Sequence, residues 1–193
     1  TDMQSFVWKG LNVQVKYTYQ VDLTQSEEVL RAALDQKLRN VINKFEKEEG
    51  ELQLAPPSAE TSKLIISNFE NHQVKWKEDV FNCLMQSDCM NSSFAIMQGK
   101  VAGVAVTAGQ GKCTYYLFGA VDRTLKNNAA GPAALFHAII QAKAQGFEVF
   151  DFEGSMIPEI EKYFRQFGGK LIPHFTINGG RGLWPRLYKW RNK

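Results

Sequence analysis

The stretch Phe147-Glu-Val-Phe-Asp151-Phe-Glu153-Gly154-Ser155 decides how this chain folds. It alternates as a strand does, stops on a carboxylate, a glycine and a hydroxyl, and then gives way to a helical pattern at residues 158–166. In α/β folds, chemistry is concentrated at such carboxyl ends of strands. We therefore expect a functional site at this junction.

A second strand-to-helix junction lies just upstream. Residues 113–120 have the pattern of a strand, 122–130 that of a polar loop and 131–145 that of a helix. A strand, a crossover helix and a second strand form a unit whose two strands are parallel. The strands at 113–120 and 147–152 are therefore predicted to be parallel neighbours whose carboxyl ends diverge into a cleft.

Antiparallel strands extend this parallel pair. Strands are predicted at 93–98 and 101–107, and the turns around them are too short for anything but antiparallel neighbours. The fold class is therefore α/β, in the sense of an α+β mixed sheet with helices on both faces. The other predicted elements are strands at 51–54 and 170–177 and helices at 58–70, 74–90 and 158–166.

The segment before residue 50 combines one strand with one long helix. Residues 11–23 alternate as a strand with one buried face does. Helical spacing then runs from a capping box at Thr24 and Glu27 to Gly50. Two alternatives stay open for the strand: it is the tail of a preceding sheet, tied to the main body by the helix, or it is an edge strand of the one domain.

Composition restricts the class of protein. The 193 residues, 44% of them hydrophobic, suit one domain with appendages. A formal charge of +3 is too small to indicate nucleic-acid binding by itself. No apolar run is long enough to span a bilayer, and the three cysteines and three histidines lack the spacing of a disulfide framework or a zinc site. A soluble protein of the reducing cytoplasm is the expectation.

Four motifs carry a resemblance to a known family: Tyr115-Tyr-Leu-Phe-Gly-Ala120, Ala129-Ala-Gly131, Phe150-Asp151-Phe-Glu-Gly154-Ser155 and Phe164-Arg165-Gln-Phe167-Gly168-Gly169. In this order and spacing they resemble the second GNAT domain of the Fem family, the peptidoglycan aminoacyl transferases of methicillin-resistance type. The resemblance implies a GNAT-like domain at 50–193, a connecting helix at 24–49, and strand sequence at 1–23 left from a preceding GNAT-like domain.

The resemblance also implies a function. It implies an acyltransferase that moves an acyl or aminoacyl group to an amine, such as that of a peptidoglycan precursor. The alternative is a non-catalytic GNAT-fold module that binds the acceptor or scaffolds a missing first domain.

A loop before the helix at 131–145 is the candidate donor site. In GNAT proteins the corresponding turn holds the pyrophosphate of acetyl-CoA on backbone N–H groups at a helix N-terminus. Asn128 departs from that family's pattern, and Pro132 lacks an N–H group. We expect no tightly bound cofactor and no metal, with acyl-CoA or aminoacyl-tRNA as donor. The cofactor-binding candidates are Asn128, Ala129, Ala130, Gly131 and Ala133.

Acyl transfer to an amine needs a base, an acid and donors for the oxyanion. Glu153 and Asp151 are the candidate bases, because they share one face of a strand and two close like charges raise a pKa. Tyr116 is the candidate acid, and Tyr115 lies on the opposite face. The structural alternatives are that Asp151 caps the following loop, that Glu153 pairs with a nearby basic residue such as Arg165, and that the tyrosines fill the sheet.

Three residues are candidates for substrate binding: Ser155, Arg165 and Tyr115. Ser155 is not a hydrolase nucleophile, because no nucleophile elbow surrounds it. The tail at 181–193 interleaves aromatic residues with positive charges. It is a candidate contact for tRNA or an anionic membrane surface, and the alternative is that Trp184 and Trp190 pack on the body.

Overall fold

One mixed sheet of seven strands organises the protein, which a computed structural model describes over residues 2–70, 78–125, 129–154 and 156–179. The strands are β1 (Asn12–Asp22), β2 (Glu51–Ala55), β3 (Met90–Met97), β4 (Lys100–Gln110), β5 (Cys113–Val121), β6 (Val149–Asp151) and β7 (Lys170–Asn178). Their order across the sheet is β2-β3-β4-β5-β6-β1-β7. β5 and β6 are parallel and the other neighbours are antiparallel, which confirms the predicted mixed sheet and its parallel pair.

Helices pack on both faces of the sheet, as predicted. In β4, Ala105 belongs to the core that includes α6, whereas Val104 and Val106 belong to the core that includes α4 and α5. Small residues on the α6 side let this helix approach the sheet closely, since five of its alanines are buried there. The helices are α1 (Gln4–Trp8), α2 (Glu27–Ala33), α3 (Gln36–Lys47), α4 (Ala59–Glu70), α5 (Glu78–Met85), α6 (Ala130–Ala144) and α7 (Pro158–Arg165), with a 3₁₀ turn at Arg123–Leu125.

β1 lies inside the sheet, hydrogen-bonded to β6 on one side and to β7 on the other. It is neither an edge strand nor part of a separate sheet, which corrects both alternatives given above for its place. Its buried residues Tyr19 and Val21 join the same core as α6. Alternation shows that one face of a strand is buried, but it does not identify distant partners. A further GNAT-like domain before residue 1, and the boundaries at 23 and 49, stay predictions.

The single long helix predicted after β1 is two helices. Leu34 is extended, and the side chain of Asp35 caps α3 through a 2.9 Å bond to a first-turn N–H group. An aspartate that caps a new helix offers the backbone an alternative to continuing the old one. Ser26 rather than Thr24 caps α2, because the Thr24 hydroxyl donates to Asp22 at 2.6 Å instead.

The predicted helix at 74–90 ends early. α5 stops at Met85, and Met90 already begins β3. Ser87 and Asp88 lie between them, and the Met90 N–H donates to the Ser87 carbonyl to close a turn, a conformation these residue types favour. The first four residues of the prediction fall outside the described part of the chain.

Gly168 joins α7 to the sheet in a conformation that needs glycine. Its φ is +77°, and a Cβ there would lie 2.5 Å from the carbonyl oxygen of Ala33. We expect Gly168→Ala to lower the free energy of unfolding by about 2–4 kcal/mol, because backbone strain and a clash add. Gly146→Ala is the matched control, since Gly146 has a φ of +87° and open space around it. It should lose only about 1 kcal/mol. Urea unfolding measures both, and equal losses would contradict the role of the clash.

Candidate functional site

A gap opens in the middle of the sheet where β6 ends. β6 has only three residues, paired from Cys113↔Val149 to Tyr115↔Asp151 with β5. β5 continues to Val121, while β1 pairs with β6 only over Gln20–Asp22. The strands on either side therefore extend beyond the one between them, and a cleft is left at the carboxyl end of the parallel pair. This is the divergence that the sequence predicted.

A β-bulge shapes one wall of this gap. Val106 pairs with Phe118 and Thr107 with Tyr116, so that Leu117 is the extra residue in β5. A bulge bends its strand and takes the extra residue out of the ladder, and bulges are frequent beside active sites. Tyr116 and Leu117 both line the gap as a result.

Two neighbouring hollows lie at the gap. The main cleft has a volume of about 520 Å³ and is bounded by β1, the bulge of β5, the residues after β6, α7 and β7. The α6 hollow, of about 180 Å³, reaches Gly131 at the start of α6. Tyr116 lines both, so its side chain lies between the two spaces. The volume of the main cleft is in the range typical of small-molecule sites.

Glu153 lies at the main cleft in a constrained turn. Its φ is +62°, which is uncommon for a residue other than glycine. Its N–H group donates to Asp151 Oδ1 at 2.7 Å, and its carboxylate lines the cleft. Partial desolvation raises the pKa of the Glu153 carboxyl, the Asp151 carboxylate raises it further, and His174 lowers it. A raised pKa moves a carboxylate toward the range useful for a general base.

Asp151 is buried, and it positions Glu153. Its carboxylate accepts hydrogen bonds from Thr18 Oγ1 at 2.6 Å, from Gln20 Nε2 at 2.7 Å and from the Glu153 N–H group. The side chain is 7% exposed. These bonds match the alternative in which Asp151 caps the following loop, and its three donors leave Glu153 as the carboxylate that faces the cleft.

Tyr116 presents a protonated hydroxyl to both hollows. Its ring packs against Phe164, with 5.7 Å between centroids, and against Phe152 at 6.3 Å. Burial raises the pKa of Tyr116, so the hydroxyl keeps its proton at neutral pH. Among the described residues the hydroxyl has no hydrogen-bond partner, and the same holds for Tyr163, which lines the α6 hollow beside it. Sequence reasoning missed Tyr163, although it precedes the Phe164 motif directly.

The N-terminus of α6 supplies the predicted donor loop. Ala129, Ala130 and Ala133 are buried, which leaves Gly131 and Pro132 as the partly exposed residues of this helix end. The first-turn N–H groups of an α-helix have no partner within the helix, and Pro132 contributes none. No side chain caps this end. Gly103 of β4 lets the helix start this close, since a Cβ there would lie 2.8 Å from the Ala130 carbonyl oxygen.

Two predicted substrate residues lie away from the main cleft. Tyr115 is on the opposite face of β5 from Tyr116, and a hydrogen bond with Cys113 raises the pKa of its hydroxyl. Arg165 is exposed on α7, where its guanidinium lies 3.7 Å from Glu161. Arg165 is therefore not the basic residue near Glu153, and His174, which lowers the pKa of Glu153, is closer to that description. Helical spacing favours the i, i+4 partner, while Glu153 sits in the turn before the helix. Asn128, Ser155 and the tail at 181–193 lie outside the described residues.

Two basic residues of the cleft were not predicted. Lys16 of β1 is directly opposite His174 of β7, and both line the main cleft. The alternation of β1 put Lys16 on its polar side, but the register that joins it to His174 depends on a pairing the sequence does not show. Over the described ranges no cluster of residues suits a metal ion, and no helix there is long and apolar enough to cross a membrane.

This architecture is that of an acyltransferase fold, with a mixed sheet that splits beside a helix N-terminus. A family model described as an acetyltransferase (GNAT) domain matches residues 14–165. The chain belongs to this GNAT family, as the resemblance implied. No curated protein matches the sequence.

Solved structures share the fold at low identity. FemX has a TM-score of 0.67 and 11% identity over 92% of this chain and 64% of its own. The C-terminal domain of a putative lysylphosphatidylglycerol synthetase from Agrobacterium fabrum has a TM-score of 0.67 and 12% identity, over 97% of this chain and 67% of its own. L-PGS from Bacillus licheniformis has a TM-score of 0.64 and 14% identity, over 100% and 71%. The chain thus spans less than two thirds of FemX, and these likenesses show the fold alone.

Proposed function

We propose that this protein is an N-acyltransferase whose donor and acceptor meet in the gap between β5 and β1. The observation that supports the proposal is that a candidate base and a candidate acid lie on opposite sides of one cleft. Glu153, with a raised pKa, lies on the turn after β6, and the protonated Tyr116 lies on β5. A base and an acid on either side of a reacting carbonyl are what acyl transfer requires.

The reaction forms one bond and breaks another. The amine nitrogen bonds to the acyl carbonyl carbon, and the bond from that carbon to the leaving sulfur or oxygen then breaks. Glu153 takes a proton from the attacking amine, and Tyr116 gives one to the leaving group. The backbone N–H of Leu117, which the bulge takes out of the β4–β5 ladder, is the proposed donor to the oxyanion.

The donor enters from the α6 hollow in this proposal. Its phosphate group would lie at the first turn of α6 beside Gly131, which suits acyl-CoA, a substrate rather than a bound cofactor of GNAT acetyltransferases. Aminoacyl-tRNA also carries phosphates and an activated acyl group, and the order of the Fem-like motifs supports it as the second donor. Because Pro132 has no N–H group, this helix end should bind phosphate more weakly than a first turn in which every residue has one.

The Fem-like part of the proposal concerns the acceptor and its setting. We propose an amine of a peptidoglycan precursor as acceptor, a preceding GNAT-like domain and a cytoplasmic location. The motif order and the fold likeness to FemX support this. The alternative, a non-catalytic module, is favoured by departures at Asn128 and Pro132 from the family pattern.

Transfer assays with Tyr116→Phe test the proposed acid. The purified chain is given acetyl-CoA or alanyl-tRNA with a peptide amine, and mass spectrometry detects the product. We expect Tyr116→Phe to lower kcat about ten- to a hundredfold, since it removes only a proton donor. Its melting temperature should barely move, because the hydroxyl has no partner among the described residues.

Tyr19→Phe is the matched control for this variant. The Tyr19 hydroxyl donates to Glu161 at 2.7 Å and lies outside the cleft, so its loss should cost about 1 kcal/mol of stability and leave turnover intact. Absence of transfer from both donors by folded wild-type protein would favour the non-catalytic module.

A further inference from the structure

Lys16 and His174 form a pair of basic side chains on one wall of the main cleft. They are directly opposite each other on β1 and β7, a position that brings Cβ atoms to roughly 5 Å. By alternation they share the face of β1 on which Thr18 holds Asp151. Their heads therefore lie near the turn that carries Glu153, and both residues line the same cleft as that carboxylate.

Neither basic residue is used by the fold. Within the described ranges, Lys16 and His174 have no carboxylate within ion-pair distance and no side-chain hydrogen bond, whereas Lys44, Lys112 and Arg31 all have acidic partners. The Glu153 carboxylate likewise forms no ion pair and no side-chain hydrogen bond there, although His174 is close enough to lower its pKa. A lysine and a histidine beside a carboxylate that forms no ion pair match a ligand that carries an anionic group next to an amine.

The remaining wall of the cleft is apolar. Met156 and Ile157, on the turn before α7, are 56% and 54% exposed, and Ile160 follows one turn later. Apolar side chains clustered beside charged groups in a cavity are typical of small-molecule sites, where the apolar surface binds the body of the ligand.

We propose that the Lys16–His174 pair binds an anionic group of the acceptor, a carboxylate or a phosphate, while the acceptor's amine lies at Glu153 and its apolar part lies against Met156 and Ile157. The protein therefore selects amines that carry a negative charge close by, and rejects neutral amines of the same size. This inference rests on the proposed function for the identity of Glu153 as the base. It adds the class of acceptor and the residues that determine specificity.

Probe pairs in which only one member carries an anionic group test the selection. Calorimetry without donor compares glycyl-leucine with glycyl-leucinamide, which share an amine and an apolar side chain but differ in the carboxylate. O-phosphoethanolamine and ethanolamine form the phosphate pair. We expect wild-type protein to bind the anionic member of at least one pair at least about tenfold more tightly, the scale of charge-assisted hydrogen bonds. Which pair shows the difference identifies the anion.

Two variants and a control assign the effect to the basic pair. Lys16→Met keeps the aliphatic stem and should abolish the tenfold preference, and His174→Gln should reduce it while preserving a hydrogen-bond donor. Lys170→Met is the control, because Lys170 lies on the same strand as His174 but lines a different hollow. It should keep the full preference. Equal affinity for both members of both pairs, no binding of any of them, or a preference that survives Lys16→Met in folded protein would overturn the inference.

Transfer rates separate this inference from the proposed function. Equal rates for the acid and the amide would show an acyltransferase without anion selection. A binding preference that depends on Lys16, with no transfer from either donor, would support the anion site and contradict the proposed function.

Discussion

Glu153→Gln should lower kcat/KM for acyl transfer by about a hundredfold or more, the scale expected for loss of a general base. The substitution keeps the size of the side chain and the N–H bond to Asp151, but removes the group that accepts a proton. The Glu153 side chain is exposed and makes no ion pair among the described residues, so the melting temperature should not fall.

The pH dependence gives a second signature of the same residue. The base acts in its deprotonated form, so activity should fall as the pH drops through the pKa of Glu153. Because partial desolvation and the Asp151 carboxylate raise that pKa, the acid limb should lie above the range of an ordinary glutamate. The residual activity of Glu153→Gln should lack this limb.

Arg165→Ala is the comparison variant for Glu153→Gln, because the sequence predicted Arg165 to bind substrate. Its guanidinium lies on the outer side of α7, in an exposed pair with Glu161. We expect unchanged turnover and a stability change within about 0.5 kcal/mol. Unchanged turnover in Glu153→Gln would remove Glu153 from the site, and a large loss in Arg165→Ala would restore the original assignment.

Phe152→Ala should lower the free energy of unfolding by about 3–5 kcal/mol, the largest effect on stability expected of any single change discussed. Phe152 is 2% exposed and stacks on Phe164 with 4.7 Å between centroids. It also contacts Tyr116 and Phe167. Truncation leaves a cavity between α7 and the sheet, in a position that the surrounding rings cannot fill without leaving their own contacts.

Urea unfolding of Phe152→Ala and Met156→Ala provides the comparison. Met156 is in the same loop and lines the same cleft, but it is largely exposed, so its loss should cost less than about 0.5 kcal/mol. Phe152→Leu should recover part of the stability lost in Phe152→Ala. Similar stabilities for Phe152→Ala and Met156→Ala would show that the aromatic cluster does not fix α7.

Local pattern was sufficient to predict most of the sheet. The alternation at 113–120 and 147–152 and the helix between them fixed a parallel pair, because that connection has one sterically accessible geometry. The place of β1 was not predictable in this way. Its partners come from β6 and β7, far along the chain, and apolar alternation reads the same in an edge strand as in an interior one.

The residues of the candidate site also differ in whether local sequence pattern or distant strand pairing determines their place. Glu153, in the turn after β6, and Tyr116, within β5, belong to local motifs, and both line the main cleft, while their roles in catalysis stay predictions. Lys16 and His174 meet only through the β1–β7 register, which no local pattern encodes. Arg165 was misplaced because a motif gives the position of a residue along a helix, but the side of the helix that it occupies depends on how the helix packs.

The short β6 has a mechanical consequence for the protein. Among the described residues, backbone hydrogen bonding between the half-sheet β2-β3-β4-β5 and the pair β1-β7 passes through residues 148–152, which are β6 and one residue on each side of it. The main cleft thus lies beside the part of the sheet that has the fewest strand pairs. A small rotation of one half-sheet against the other about β6 would change the separation of Tyr116 from Lys16 while the hydrogen bonds within each half stay intact. The short strand β6 is therefore the axis about which such a rotation would take place.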